Sequence, residues 1–311
     1  MDLIEKAASK LRRSADKSLV ERVADKIEDK PLAGPRADDR RPAEKPGRPG
    51  HPGKGGAGSE HQRVHIDLAG LSARGFITKD QEPTQIAEEF RIIKRALLNN
   101  AFRRDGSAIR DGNLILVNSA QPSEGKTFCA INLAMSIAAE RDLTVLLVDA
   151  DFARPSILKV LGIKGDKGLV DVIDDDNIDV GDCLMRTNVE NLVLLPAGRR
   201  HNLTTELLAS ERMRQVVDEI KMRYNDRVII FDSPPALASS APGALASLVG
   251  QVLFVVEADR TSTVQIKNAL MHLESCPSVS IILNKNRNSE KGSMFGKYYY
   301  DYNTDDMRKQ A

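Results

Sequence analysis

Short, unbroken apolar runs separated by stretches of helical periodicity fill most of this chain. The runs are Leu114 to Asn118, Val145 to Asp149, Leu192 to Leu195, Val228 to Asp232, Val252 to Glu257 and Val279 to Asn284. A run of this length without polar alternation predicts a strand whose two faces are both buried. Between the runs, Thr84 to Phe102 places Ile86, Phe90, Ile93, Leu97 and Leu98 at helical spacing, and Phe128 to Ala139 is a second helical pattern. Strands alternating with helices predict an α/β fold, doubly wound, with a mainly parallel sheet. Ligands of such sheets bind beyond the carboxyl ends of the strands. Chemistry is therefore expected near Asn118, Asp149, Asp232 and Asn284.

The flanks read differently. In residues 1–30, Leu3, Ile4, Ala7, Leu11, Leu19, Val20, Val23 and Ile27 lie at helical spacing among charges, which predicts an amphipathic helical segment. Residues 31–62 are rich in glycine and proline and nearly devoid of apolar side chains, the composition of a flexible, disordered linker. A short extended piece is expected at Val64 to Leu68. The organisation expected is a catalytic domain over 63–288 and a tyrosine-rich tail over 289–311.

Composition narrows the classes. The formal charge is +1, from 45 basic and 44 acidic residues, so no global field points to nucleic acid or to an anionic membrane. Cys129, Cys183 and Cys276 are widely separated and lack metal-ligand spacing, as expected of reduced, structural thiols in a cytoplasmic protein. No apolar stretch reaches the length of about 18 residues that a membrane span needs, and residues 1–13 do not resemble a signal peptide. A membrane role would need a partner.

The strongest chemical signal is Ala120-Gln-Pro-Ser-Glu-Gly-Lys-Thr127, set between a predicted strand and a predicted helix. This is a P-loop in the context it requires. Backbone N–H groups of Ser123, Glu124, Gly125 and Phe128 and the helix N-terminus suit the phosphates of ATP. Lys126 suits the β- and γ-phosphates, and the Thr127 hydroxyl suits Mg²⁺. Ala120 stands where a first glycine is usual, so that position need only tolerate a small Cβ. The run ending Asp149-Ala-Asp151 supplies two carboxylates, one suited to magnesium and one to accepting the proton of an attacking hydroxyl; a lone strand-end aspartate would more often be a helix cap. The run ending at Asp232, before Ser-Pro-Pro235, offers a further magnesium-anchoring acid.

Four of the five tyrosines, Tyr298, Tyr299, Tyr300 and Tyr302, crowd a polar tail. No periodicity surrounds them, so a core role fails. Candidate phosphorylation sites, each adding about −1.5 to −2 charges, compete with a plain docking or aggregating strand.

Together these residues resemble the bacterial tyrosine kinases of the P-loop NTPase fold. Met1-Asp-Leu-Ile-Glu-Lys-Ala-Ala, Arg74-Gly-Phe-Ile-Thr, Ala87-Glu-Glu-Phe-Arg-Ile-Ile-Lys-Arg95, Pro196-Ala-Gly198 and Thr205-Glu-Leu-Leu-Ala-Ser210 look like the exosortase-associated tyrosine autokinases of exopolysaccharide clusters. The resemblance implies an ATP- and Mg²⁺-dependent kinase that phosphorylates the tails of its own neighbours. Lys126 and Thr127 would hold phosphate and metal, Asp151 and Asp232 would organise the metal, and Asp149 would activate the tyrosine hydroxyl. In related ATPases an asparagine placed as Asn284 reads the adenine edge, although a plain turn residue fits that position nearly as well. The family's subunit-contact motif, Glu-x-x-Arg-x-x-Arg, matches Glu88, Arg91 and Lys94, where lysine keeps the charge but loses the bidentate fork. Ala153 stands where many relatives have arginine, with Arg154 one position later. Implied partners are a second copy in a homo-oligomer, a membrane-bound polysaccharide chain-length regulator that activates and recruits the protein to the inner membrane, and a cognate tyrosine phosphatase; no nucleic acid is implied.

Two other functions compete. Partitioning and positioning ATPases of the ParA and MinD kind share the fold and paired aspartates but carry a signature lysine where this chain has Gln121, and need no tyrosine cluster. A nucleotide-binding scaffold that has lost catalysis would not require the intact Lys126, Asp149, Asp151 and Asp232.

Overall fold

A computed structural model describes residues 63–79, 84–103, 106–201, 204–223 and 227–286. The expected helical segment 1–30, the linker 31–62 and the tail with Tyr298 to Tyr302 lie outside the described residues. The elements in chain order are β1 (Arg63–Val64), α1 (Leu68–Ala73), α2 (Gln85–Phe102), β2 (Leu114–Ser119), α3 (Lys126–Ala138), β3 (Thr144–Asp149), α4 (Ile157–Leu161) and α5 (Leu169–Asp174). A single 3₁₀ turn (Val180–Cys183) precedes β4 (Met185–Thr187), β5 (Leu192–Leu195), α6 (Thr204–Leu208), α7 (Glu211–Arg223), β6 (Arg227–Asp232), α8 (Ala241–Ala246), β7 (Gln251–Glu257), α9 (Thr263–Met271) and β8 (Val279–Asn284).

Among the described residues the strands form one eight-stranded sheet in the order β1-β4-β5-β3-β6-β2-β7-β8. Every neighbouring pair is parallel except β4 with β5. The apolar runs explain this directly, because alternate residues of one strand feed opposite cores. Leu114, Leu116, Ile229, Phe231, Val252 and Phe254 enter one core, with side chains from α5 to α9. Ile115, Val117, Val228, Ile230, Leu253 and Val255 enter the other, with α1 to α4. A sheet buried on both sides needs apolar side chains at every position.

One expectation is corrected. The run at Val279 to Asn284 does form a strand, but β8 is the sheet's edge and only one of its faces is covered. Val279, Ile281 and Leu283 remain exposed, Leu283 at 66%, because α9 packs over β7 rather than over β8. The antiparallel pairing of β4 also departs from the parallel pattern. A run of only three residues, Met185-Arg-Thr187, carries no apolar period to reveal it.

Helix α2 begins as its sequence suggests, with the Thr84 hydroxyl accepting from Ala87 N–H at 3.3 Å. Gln251, fully buried at the start of β7, ties three elements together. Its amide donates to Leu97 O at 3.0 Å and Gly112 O at 2.6 Å and accepts from Asn100 Nδ2 at 2.9 Å. Truncation removes three hydrogen bonds made from a fully buried position, so Gln251→Ala is expected to lower the unfolding free energy by about 2–3 kcal/mol in a urea melt.

Candidate active site

The central strands set the site. β3, β6 and β2 lie side by side, with Asp149 opposite Asp232 across β3 and β6 and Val117 opposite Asp232 across β2 and β6. The phosphate-binding loop rises from β2 toward these carboxylates. It turns through left-handed backbone at Ser123 (φ 69°) and Gly125 (φ 98°) before α3 starts at Lys126. At φ 98° any side chain on Gly125 would be strained, and a Cβ there would also displace the Asn284 amide, which would stand 2.0 Å away. The first N–H groups of α3 have no carbonyl one turn back, the arrangement that binds phosphate oxygens.

Lys126 Nζ donates to Asp151 Oδ2 at 2.9 Å and lies 3.8 Å from Asp232 Oδ1. The Thr127 hydroxyl donates to Asp232 Oδ2 at 2.6 Å, with the Ser156 hydroxyl 3.0 Å away. A cleft of about 570 Å³ opens beside them, walled by Ser123, Lys126, Thr127, Phe128, Asp151 and Arg154. Burial pulls the Lys126 pKa down, but Asp232, Asp151 and Asp149 outweigh it, so the net shift is upward and the ammonium stays charged. Asp232 is pushed up to about 6 by burial, against the opposing pull of Lys126 and Thr127.

Asp232 Oδ1 is buried without a hydrogen-bond partner among the described residues. An orphaned carboxylate oxygen beside a threonine hydroxyl and a second carboxylate, Asp151, is a donor set that fits a hard cation such as Mg²⁺. Among the described residues no three His, Cys, Asp or Glu side chains make a metal cage of their own. A magnesium ion here would draw its remaining ligands from phosphates and water.

Asp149 is 1% exposed and does not line the cleft. Its Oδ2 accepts from the N–H groups of Ser156 and Ile157, both at 3.0 Å, and its Oδ1 from Asp151 N at 3.3 Å. It therefore holds the loop that leads into α4. Burial and the neighbouring Asp232 push its pKa up to about 7 in spite of those amides. Asn284 is brought to the site from β8, where its Nδ2 donates to Glu124 O at 2.8 Å.

The expected subunit-contact residues lie elsewhere, on α2. Glu88 and Arg91 pair with each other, and Lys94 is 7% exposed, donating to Ser136 O at 3.1 Å and paired with Glu140. Arg91 and Lys94 line a separate cleft of about 390 Å³ between α2 and the end of α3. Sequence reasoning missed Ser156, Thr261 and Lys285. Ser156 meets Thr127 only because Asp149 folds the intervening loop back, and no periodic or motif signal marks it.

A family model described as an AAA domain matches residues 113–279, more than half of the 311-residue chain. The chain is 28% identical over 233 residues to the tyrosine-protein kinase YwqD of Bacillus subtilis, covering 75% of this chain and 93% of YwqD. It is 26% identical over 226 residues to the tyrosine-protein kinase wzc of Salmonella typhimurium, covering 72% of this chain but 30% of that longer protein. Its fold is similar to the crystal structure of the chimerical protein CapA2B2, with a TM-score of 0.59, 24% identity, and coverage of 71% of this chain and 92% of that one.

Proposed function

We propose that this chain, which belongs to the AAA domain family and within it to the bacterial tyrosine kinases, transfers the γ-phosphoryl group of ATP to tyrosines of its own tail. One observation carries the reading. Lys126, Thr127, Asp151 and Asp232, from three strand ends, converge beside one cleft, joined by Lys126–Asp151 and Thr127–Asp232 hydrogen bonds. Tyr298, Tyr299, Tyr300 and Tyr302 supply hydroxyl acceptors in the same chain.

In the transfer, a tyrosine oxygen forms a bond to the γ-phosphorus as the bond to the β–γ bridging oxygen breaks, and ADP leaves. Lys126 exchanges Asp151 for the β- and γ-phosphates, and the loop amides hold the oxygens on which charge gathers. Thr127, Asp151 and Asp232 would hold Mg²⁺. When bound, that ion neutralises phosphate charge. The phenolic proton passes to Asp151, which stands on the cleft wall, while the buried Asp149 holds the loop that follows through the amides of Asp151, Ser156 and Ile157.

Trans-phosphorylation within a homo-oligomer using Glu88 and Arg91, recruitment by a membrane-bound chain-length regulator, reversal by a tyrosine phosphatase and a role in exopolysaccharide synthesis and export extend this reading. So does membership of the exosortase-associated group. Among the described residues no helix is long and apolar enough to cross a membrane, which suits recruitment through a partner. The test is mass-spectrometric mapping of phosphate after incubation with Mg²⁺-ATP, with and without a candidate activator segment. Phosphate on Tyr298 to Tyr302 is expected; steady ATP hydrolysis with an unmodified tail would favour the ATPase switch instead.

A further inference from the structure

The phosphate-binding loop is gripped from the far side by residues that no phosphate contact explains. Glu124 belongs to this loop yet is 3% exposed. Its Oε2 accepts from Gln121 N–H at 2.7 Å, closing the loop on itself. Its Oε1 accepts from the hydroxyl of Thr261, which lies in the turn between β7 and α9. The same hydroxyl oxygen accepts from Glu257 N–H at 3.2 Å, so β7 fixes where Thr261 stands. From the end of β8, Lys285 Nζ donates to Ser123 O at 2.6 Å and pairs with Glu257 Oε2 at 3.1 Å.

Ser123 and Lys285, the two residues joined by the 2.6 Å bond, both have left-handed backbone, at φ 69° and φ 58°. Left-handed backbone in a non-glycine residue persists only where its surroundings hold it. The direction of the loop amides, and hence their aim at an anion, depends on Ser123 and Gly125 keeping these angles. We propose that Thr261, Glu257 and Lys285 are positioning residues of the phosphate-binding loop. They act through Glu124 and Ser123 and touch no phosphate themselves. β7 and β8 thereby supply a brace for a loop whose own strand and helix, β2 and α3, lie at its ends.

This inference rests on the ATP-binding reading, and binding measurements separate the two. Calorimetric titration of the full chain with Mg²⁺-ATP, and in parallel with Mg²⁺-tripolyphosphate, which has no base, reads the phosphate end alone. Thr261→Val is expected to weaken both ligands by the same factor, about tenfold, or about 1.4 kcal/mol. Thr261→Ser, which restores the hydroxyl, is expected to stay within about twofold of the parent. Lys285→Met, at a half-exposed position, is expected to weaken both about fivefold, and Lys285→Arg to recover most of the loss. The Lys285 pair decides the matter if Thr261→Val fails to fold. Unchanged affinity in folded variants would overturn the proposal, as would a loss seen with ATP but not with tripolyphosphate. A parent protein that binds neither ligand would instead overturn the ATP-binding reading.

Discussion

Lys126→Met is expected to lower phosphate incorporation into the tail at least a thousandfold, read by mass spectrometry against the parent under identical Mg²⁺-ATP. Methionine keeps the length of the side chain but removes the ammonium. A preorganised donor aimed at developing charge contributes about a hundredfold to a thousandfold in rate, and a cation bridging two phosphates contributes at the upper end or beyond. The substitution also removes the buried countercharge of Asp151 and Asp232, which stand 2.9 and 3.8 Å from the ammonium. Breaking a buried pair from one side typically costs about 3–5 kcal/mol, and here protonation of the carboxylates offsets part of it. The sign with pH follows. Asp232 already has a folded pKa raised from 3.8 to about 6, and loss of Lys126 raises it further. A group so shifted contributes its stability below the unfolded value and loses it as pH rises through the folded one. The melting temperature of Lys126→Met should therefore fall further below the parent at pH 8 than at pH 5. Full tail phosphorylation by this variant would refute the assignment of Lys126.

Asp232→Asn should inactivate with the opposite effect on the empty protein. The carboxylate is fully buried, one of its oxygens lacks a hydrogen-bond partner, and burial is the largest influence on its raised pKa. Above pH 6 a neutral amide removes the cost of keeping that charge out of water, and its oxygen can still accept from Thr127. The ligand-free melting temperature at pH 8 should stay level or rise, while tail phosphorylation falls by about a hundredfold or more. The extra thermal stabilisation that Mg²⁺ adds to bound nucleotide should vanish as well. An Asp232→Asn protein that retained its magnesium-dependent shift would show that the ion is anchored elsewhere.

How much of this was legible in the chain depends on whether the signal is local. The strands at β2, β3, β6 and β7 are apolar at every position because both faces are covered, and that covering is written in each run. The phosphate-binding loop was legible because its chemistry needs adjacent residues. β8 reads the same as its neighbours, yet Val279, Ile281 and Leu283 face outward; being the last strand is a property of the sheet order. Lys94 fitted a surface motif by spacing, and only the crossing of α2 over α3 buries its ammonium against Ser136 and Glu140. Asp149 kept its place beside the site, but only its Oδ1 makes the local bond a cap would, to Asp151 N–H, while its Oδ2 reaches forward to the amides of Ser156 and Ile157. Thr261 and Lys285 reach the loop across more than 130 residues of sequence, with nothing nearby to announce it.

The burial of Lys94 gives α2 a mechanical meaning. Its ammonium is bolted to the C-terminal end of α3, and the N-terminal end of α3 is the phosphate-binding loop. Thirteen helical residues make a stiff rod of about 20 Å. One helix thus carries the anchor of α2 at its last turn and the phosphate-binding amides at its first.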